Sequence, residues 1–234
     1  MKYLLAPSKK QLVVTANTES VDPSKETQLL INSLKKMTRL EIADLMKIKG
    51  ALLDAVIEHI HDFQNNNAPC IEVYKGVVFD QLQLADYTDS QKLFLENHFR
   101  ILSALYGVLT PSTPISPYRL DMTMKPNSMN LYDFWKRTIE DAFREEDFIV
   151  SLASKEFEKM LSFHKNKLIQ VEFKEHKNGK LKSSGYKAKV LRGQLSHFII
   201  QNKISELESL KAFTFDGYSF DPKRSSDRLM FFVK

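Results

Sequence analysis

Between positions 25 and 63 the apolar residues return every three to four places: Leu29, Leu30 and Leu34, then Ile42, Leu45 and Met46, then Leu52, Leu53, Val56, Ile57 and Ile60. That is the period of a helix burying one face. Breaks at 37–38 and 49–50 divide the run. Elsewhere the pattern changes. KYLLA (2–6) reads as a short buried strand ended by Pro7, and CIEVYKG (70–76) alternates like a strand. Thr88 or Asp89 can cap a helix carrying Phe94, Leu95, Phe99, Ile101, Leu102 and Leu105 up to Gly107. Asn130 is placed to cap LYDFWKRTIEDAF, and FIVSLAS (148–154) reads as a buried strand whose last serine can cap the next helix. KLIQVEFKEH, then Asn178 and Gly179, then KLKSSGY is a hairpin signal, because Asn-Gly tolerates the positive φ of a two-residue turn. A helix over about 188–202 and short strands near 213–220 and 229–233 complete the chain. Residues 11–24 look irregular. Helices and strands without regular βαβ alternation predict the α+β class, a mixed sheet flanked by helices.

With 234 residues, 43% of them apolar, the chain can bury one sizeable core. No Gly/Ser/Pro linker divides it, so 1–234 is expected to be a single domain. Cys70 is the sole cysteine, which excludes an intramolecular disulfide and a four-cysteine zinc site and suits a reducing compartment. MKYLLAPSKK is too short in apolar residues for a signal peptide, and no stretch approaches the ~20 apolar residues of a membrane span. A cytoplasmic protein with no membrane association is expected. Lysine and arginine exceed aspartate and glutamate, 34 to 29, for a net charge of +5. That tilts the choice of partner toward polyanions without selecting nucleic acid.

Three stretches bear candidate chemistry. In LTPSTPISPYRLDM (109–122), Pro111, Pro114 and Pro117 repeat with the three-residue period of polyproline II. Such a loop can be a rigid connector, a ligand for a proline-binding domain, or a stiff mount for Tyr118 and Arg119. In AKVLRGQLSHFII, Lys189, Arg192 and Ser196 share a helix face beside Gly193, and a glycine there points to close backbone approach. TRLEIADLMKIKGALLDAVIEHI (38–60) reads as two helices about a turn at 48–51, as in a helix-hairpin-helix element, whose backbone N–H groups and lysines take phosphate oxygens. Here Lys47, Lys49 and Gly50 would do so, although only one glycine is present where two are usual; an ordinary helical pair fits the same pattern. The phosphate-loop, dinucleotide, nucleophile-elbow and metalloprotease motifs are absent. His59 and His61 diverge by about 200° on a helix, so no metal site is expected.

HFRILSALYGVL followed by PYRLDM, with YKG before and LYDFW after, resembles the peroxide stress protein YaaA family. The resemblance runs nearly end to end, through APSK (6–9), KIKGALLDAVIEHIHDF, SLASKEF and FDGYSF. It implies a bacterial cytosolic protein of the oxidative stress response, binding double-stranded DNA through a basic cleft and a helix-hairpin-helix element. It also implies a role in limiting free intracellular iron, and no cofactor. Carried over by position, Lys9, Lys49, Lys75, Tyr118, Arg119, Lys189 and Arg192 would line or flank the cleft; together with Lys10, Lys47 and Gly50 they are the expected DNA-binding residues. The chain departs from the family's Ser-Pro-Ala-Lys at 6–9, has Ser151 for an asparagine and has Phe157 for a tyrosine. The rival reading is an enzyme acting on a nucleotide or another small anionic ligand in the same cleft. Under either reading Arg119 is expected in the cleft near Lys9 and Lys189, bonding an anion or a carboxylate.

Overall fold

The computed structural model describes residues 1–13, 22–63 and 67–234. Strand β1 (Lys2–Leu5) leads to β2 (Lys10–Gln11), and most of the irregular stretch expected at 11–24 lies outside the described residues. Helices α1 (Lys25–Lys35), α2 (Arg39–Met46) and α3 (Ala51–His61) follow, with breaks where the periodicity placed them. Next come β3 (Ala68–Pro69), α4 (Cys70–Val73), β4 (Tyr74–Lys75), α5 (Asp89–His98), β5 (Phe99–Ser103), β6 (Gly107–Leu109) and β7 (Pro114–Ile115). The remainder is α6 (Leu131–Ala142), β8 (Ile149–Ser151), α7 (Lys155–Glu158), β9 (Leu168–Lys177), β10 (Lys180–Lys182), α8 (Gly185–Asn202), α9 (Leu207–Leu210), β11 (Ser219–Phe220) and β12 (Leu229–Val233).

An eight-stranded sheet runs β11-β12-β9-β8-β1-β5-β6, with β10 paired to β9. From β12 to β5 every pair is parallel; β6, β10 and β11 add antiparallel edges. Parallel strands need cover on both faces, and this sheet has it. Tyr3 and Leu5 of β1 join a core with Leu191, Leu195 and Ile199 of α8, whereas Leu4 faces Leu30, Leu34, Val56 and Trp135 of α1, α3 and α6. The α+β expectation of one domain with a mixed sheet between helices therefore holds, with a largely parallel sheet.

Two elements differ from the expectation. The helix from Asp89 ends at His98, and the next five residues form the buried parallel strand β5. A strand buried on both faces is a continuous apolar run, and Phe94, Leu95, Phe99 and Leu102 happen to fit helical spacing as well. CIEVYKG is not one strand: Cys70–Val73 is a helical turn, and only Tyr74–Lys75 is extended. The proline loop causes this, because Cys70 N and Ile71 N donate to Thr113 O and Pro111 O. Pro111 and Pro117 are buried, and Pro114 lies opposite Pro69, so the loop is no docking motif for a proline-binding domain. Ser154 occupies the N-cap of α7 but makes no capping hydrogen bond, whereas Asn130 caps α6 through Tyr132 N. Asn178 and Gly179, at φ 53° and 70°, form the expected hairpin turn.

Gly193 sits inside α8, where a Cβ would lie 2.5 Å from Val78 O and 2.6 Å from Gln81 Cγ. Its absence lets α8 lie against the segment after β4, a contact closed by Gln194 Nε2 donating to Gln81 Oε1 at 2.7 Å. In a free helix Gly→Ala would gain about 1 kcal/mol. Here a backbone carbonyl blocks the methyl, and Gly193→Ala is expected to destabilise by about 1–3 kcal/mol, as overpacked sites do. Urea unfolding checks this; a raised midpoint would contradict it.

Candidate functional site

The cleft follows from the strand order. The chain leaves β1 toward the β5 side of the sheet and leaves β8 toward the β9 side, so the loops at their carboxyl ends separate. Such switch points are where open parallel sheets hold ligands. A cavity of about 430 Å³ opens there, lined by residues 6–11 after β1 and by Leu152, Ser154, Glu156 and Phe157 after β8. The stretch 76–79, Tyr118 to Asp121, and Lys189 and Arg192 of α8 complete its wall.

Tyr118 is anchored on several sides. Its N–H donates to Gln11 Oε1 at 2.8 Å, and its hydroxyl lies 2.8 Å from both Tyr74 Oη and Ser103 Oγ. Ser103 Oγ already accepts from Leu105 N and Tyr106 N, which leaves its own proton for Tyr118, and Tyr118 can then donate to Tyr74. Burial pushes the Tyr118 phenol up to about 12, so it stays protonated at neutral pH and acts as a mount. The strap it holds delivers Arg119.

Arg119 and Arg192 line the same cavity, and both Nε atoms are buried without a hydrogen-bond partner. Among the described residues neither guanidinium is in a salt bridge. Burial pulls the Arg192 pKa down, and the Glu158 and Glu172 carboxylates act against that shift. Arginine nonetheless keeps its charge. One cavity holds Arg119 with Lys9 and Lys189, and of the two partners expected for Arg119, an anion or a carboxylate, no carboxylate is bonded to it among the described residues. Asp121 pairs instead with Lys9, Nζ to Oδ2 at 2.6 Å, and Glu156 Oε1 accepts from Met122 N at 3.2 Å.

Lys10 and Lys189 stand exposed on the cavity wall. Lys75 does not line the cavity but is the cross-strand partner of Lys10 in the β2–β4 pair. Two like charges directly opposite are unfavourable unless an anion lies between or above them. Lys47, Lys49 and Gly50 lie outside the cavity at the exposed α2–α3 turn, with Lys47 left-handed at φ 51° and Gly50 at φ 59°. A narrow crevice joins His59 of α3 to Pro117 and Arg119. His59 is eight residues beyond Ala51, so the turn is about 12 Å away along the helix axis. Ser196, expected on the cationic face, turns inward and donates to Arg192 O.

Asp121, Ser154 and Glu156 are cavity residues that the sequence did not single out, though Asp121 stood in the quoted PYRLDM stretch. A usable signal was the pair of short segments that follow two buried strands, APSK and LAS. Among the described residues no three His, Cys, Asp or Glu side chains gather as a metal site, and no helix is long and apolar enough to cross a membrane.

Comparison with known proteins bears out the family resemblance. A family described as "Peroxide stress protein YaaA" matches residues 1–224. A UPF0246 protein of Fusobacterium nucleatum is 33% identical over all of this chain and 99% of its own length. Relatives carrying the same UPF0246 name in Rickettsia felis and Crocosphaera subtropica are 36% and 35% identical, over 94% and 90% of this chain and 92% and 89% of theirs.

Unpaired, partly desolvated cations cost stability unless an anion answers them. Arg192→Met keeps much of the volume and removes the charge, so it is expected to stabilise the unliganded protein by about 0.5–2 kcal/mol. Added inorganic phosphate should raise the melting temperature of the wild type more than that of the variant. Equal shifts, together with a less stable variant, would show that Arg192 is compensated within the protein.

Proposed function

The chain belongs to the peroxide stress protein YaaA family, and from that premise we propose that it serves the response to peroxide by binding double-stranded DNA along its basic cleft. In this reading its helping to limit free intracellular iron belongs to the same protective response. The observation that carries the proposal is the pair of arginines, Arg119 and Arg192, lining one cavity with buried Nε atoms that have no hydrogen-bond partner. Cations gathered at that cost are built for phosphate, and two guanidinium groups suit its oxygens better than ammonium does.

Lys10, Lys75 and Lys189 extend the positive surface from that floor. The α2–α3 turn offers Lys47 and Lys49, with the first backbone N–H groups of α3 behind Gly50. It acts as a helix-hairpin-helix element, taking a phosphate of the same duplex that crosses the cleft. Nothing in the turn resembles a base-reading helix, so affinity comes from phosphate and varies little with sequence.

With about five phosphates neutralised, by Lys10, Lys47, Lys49, Lys75 and Lys189, log K should fall against log salt with a slope of about −4 to −5. Fluorescence anisotropy across a salt series checks this, and a flat response would refute it. Lys49→Glu should weaken duplex binding without altering the unfolding midpoint, since Lys49 is exposed. Wild-type affinity in that variant would reduce α2 and α3 to a plain helical pair.

A further inference from the structure

The rim of the cleft and its floor suit different anions. Lys10 and Lys189 are exposed and can meet a phosphodiester inside a duplex. Arg119 and Arg192 lie deeper, with buried Nε atoms, in a cavity whose wall includes Leu120, Leu152 and Phe157. An internal phosphodiester carries strand on both sides and one negative charge, so it answers only part of the charge of two guanidinium groups. A terminal phosphate carries strand on one side only. As a monoester it bears about −1.5 to −2 charge at neutral pH and presents three free oxygens. Two guanidinium groups, neither in a salt bridge among the described residues, match that charge and offer free Nε–H donors. Of the neighbouring acids, Asp121 is paired with Lys9 and Glu156 accepts from Met122 N, while Glu158 and Glu172 lie near enough to Arg192 to offset part of its charge. The cavity, about 430 Å³, lies within the size range of small-ligand sites.

We propose that the cleft floor is a binding site for a nucleoside phosphomonoester, with the phosphate on Arg119 and Arg192. Two sources share this chemistry, a phosphate-ended DNA strand and a free mononucleotide. The strand end rests on the DNA-binding reading above; the free nucleotide does not. Oxidative breakage of the sugar backbone leaves phosphate-ended strands, so the first source fits a response to peroxide.

The test measures wild-type affinity for one duplex sequence with 3′-phosphate, 5′-phosphate or hydroxyl ends, and for a closed circle that has no ends. Deoxyadenosine monophosphate and deoxyadenosine serve as competitors and as thermal-shift ligands. A phosphate-ended duplex should bind about ten-fold or more tightly than the hydroxyl-ended one, the factor that a charge-assisted bidentate contact supplies. The monophosphate should erase that difference, whereas the nucleoside should not. Arg119→Met and Arg192→Met should each lose the preference, and the wild-type comparison stands alone if either variant fails to fold. Thermal stabilisation by the monophosphate and not by the nucleoside, without any preference among DNA ends, would assign the site to free nucleotides. If no DNA binds while the monophosphate does, the DNA reading fails and the phosphomonoester site survives. Binding blind to the ends, with monophosphate no better than nucleoside, overturns the proposal.

Discussion

The parallel pairing of β1 between β5 and β8 is the constraint from which the site follows. Leu4 lies opposite Arg100 on one side and Ser151 on the other, so the three strands point the same way. Their carboxyl ends therefore meet at one edge of the sheet. Because the connections then run to opposite sides, backbone cannot fill the gap above β1 and β8. Both sheet faces are committed to core, with Tyr3 and Leu5 on one side and Leu4 on the other. A slip of one residue would exchange these faces and set each side chain into the core shaped for its neighbour. The register that protects the core is thus the register that holds the cleft open.

What fills the gap is an electrostatic imbalance held in place by neutral hydrogen bonds. Ser103, Tyr118 and Tyr74 form a chain that fixes the strap beneath Arg119, and Gly193 admits Val78 O so that α8 can bring Arg192 and Lys189 to the opposite wall. Within the cavity the only acid paired with a cation, Asp121, takes Lys9. The two guanidinium groups line the cavity with buried Nε atoms that have no hydrogen-bond partner. A protein gains nothing in stability from such an arrangement, since buried polar groups are ordinarily satisfied. Its use lies in a ligand that brings negative charge.

Much of this was legible in the sequence. The α1 to α3 periodicity, the Asn178–Gly179 turn and the caps at Thr88 and Asn130 are local signals, and local chemistry decided them. Arg119, Lys189 and Arg192 stood out because they sit beside a proline-rich loop and a helical glycine, whereas Lys9 came with the family resemblance. What failed was non-local. β5 read as helix because a doubly buried strand carries no alternation, and Cys70–Val73 read as strand because its donors are claimed by a loop some forty residues away. The pairing of Asp121 with Lys9 joins the ends of two distant segments and leaves no trace in the spacing of either.

The central claim is that Arg119 and Arg192 together receive phosphate. Nitrogen-15 spectra of the arginine Nε–H groups read this directly, with the exposed Arg137 as an internal reference. On titration with a phosphate-bearing nucleotide ligand, the account expects the Arg119 and Arg192 signals to shift together and to saturate at one concentration, while that of Arg137 stays in place. Signals from Arg119 and Arg192 that do not move, or that move no more than that of Arg137, would contradict it.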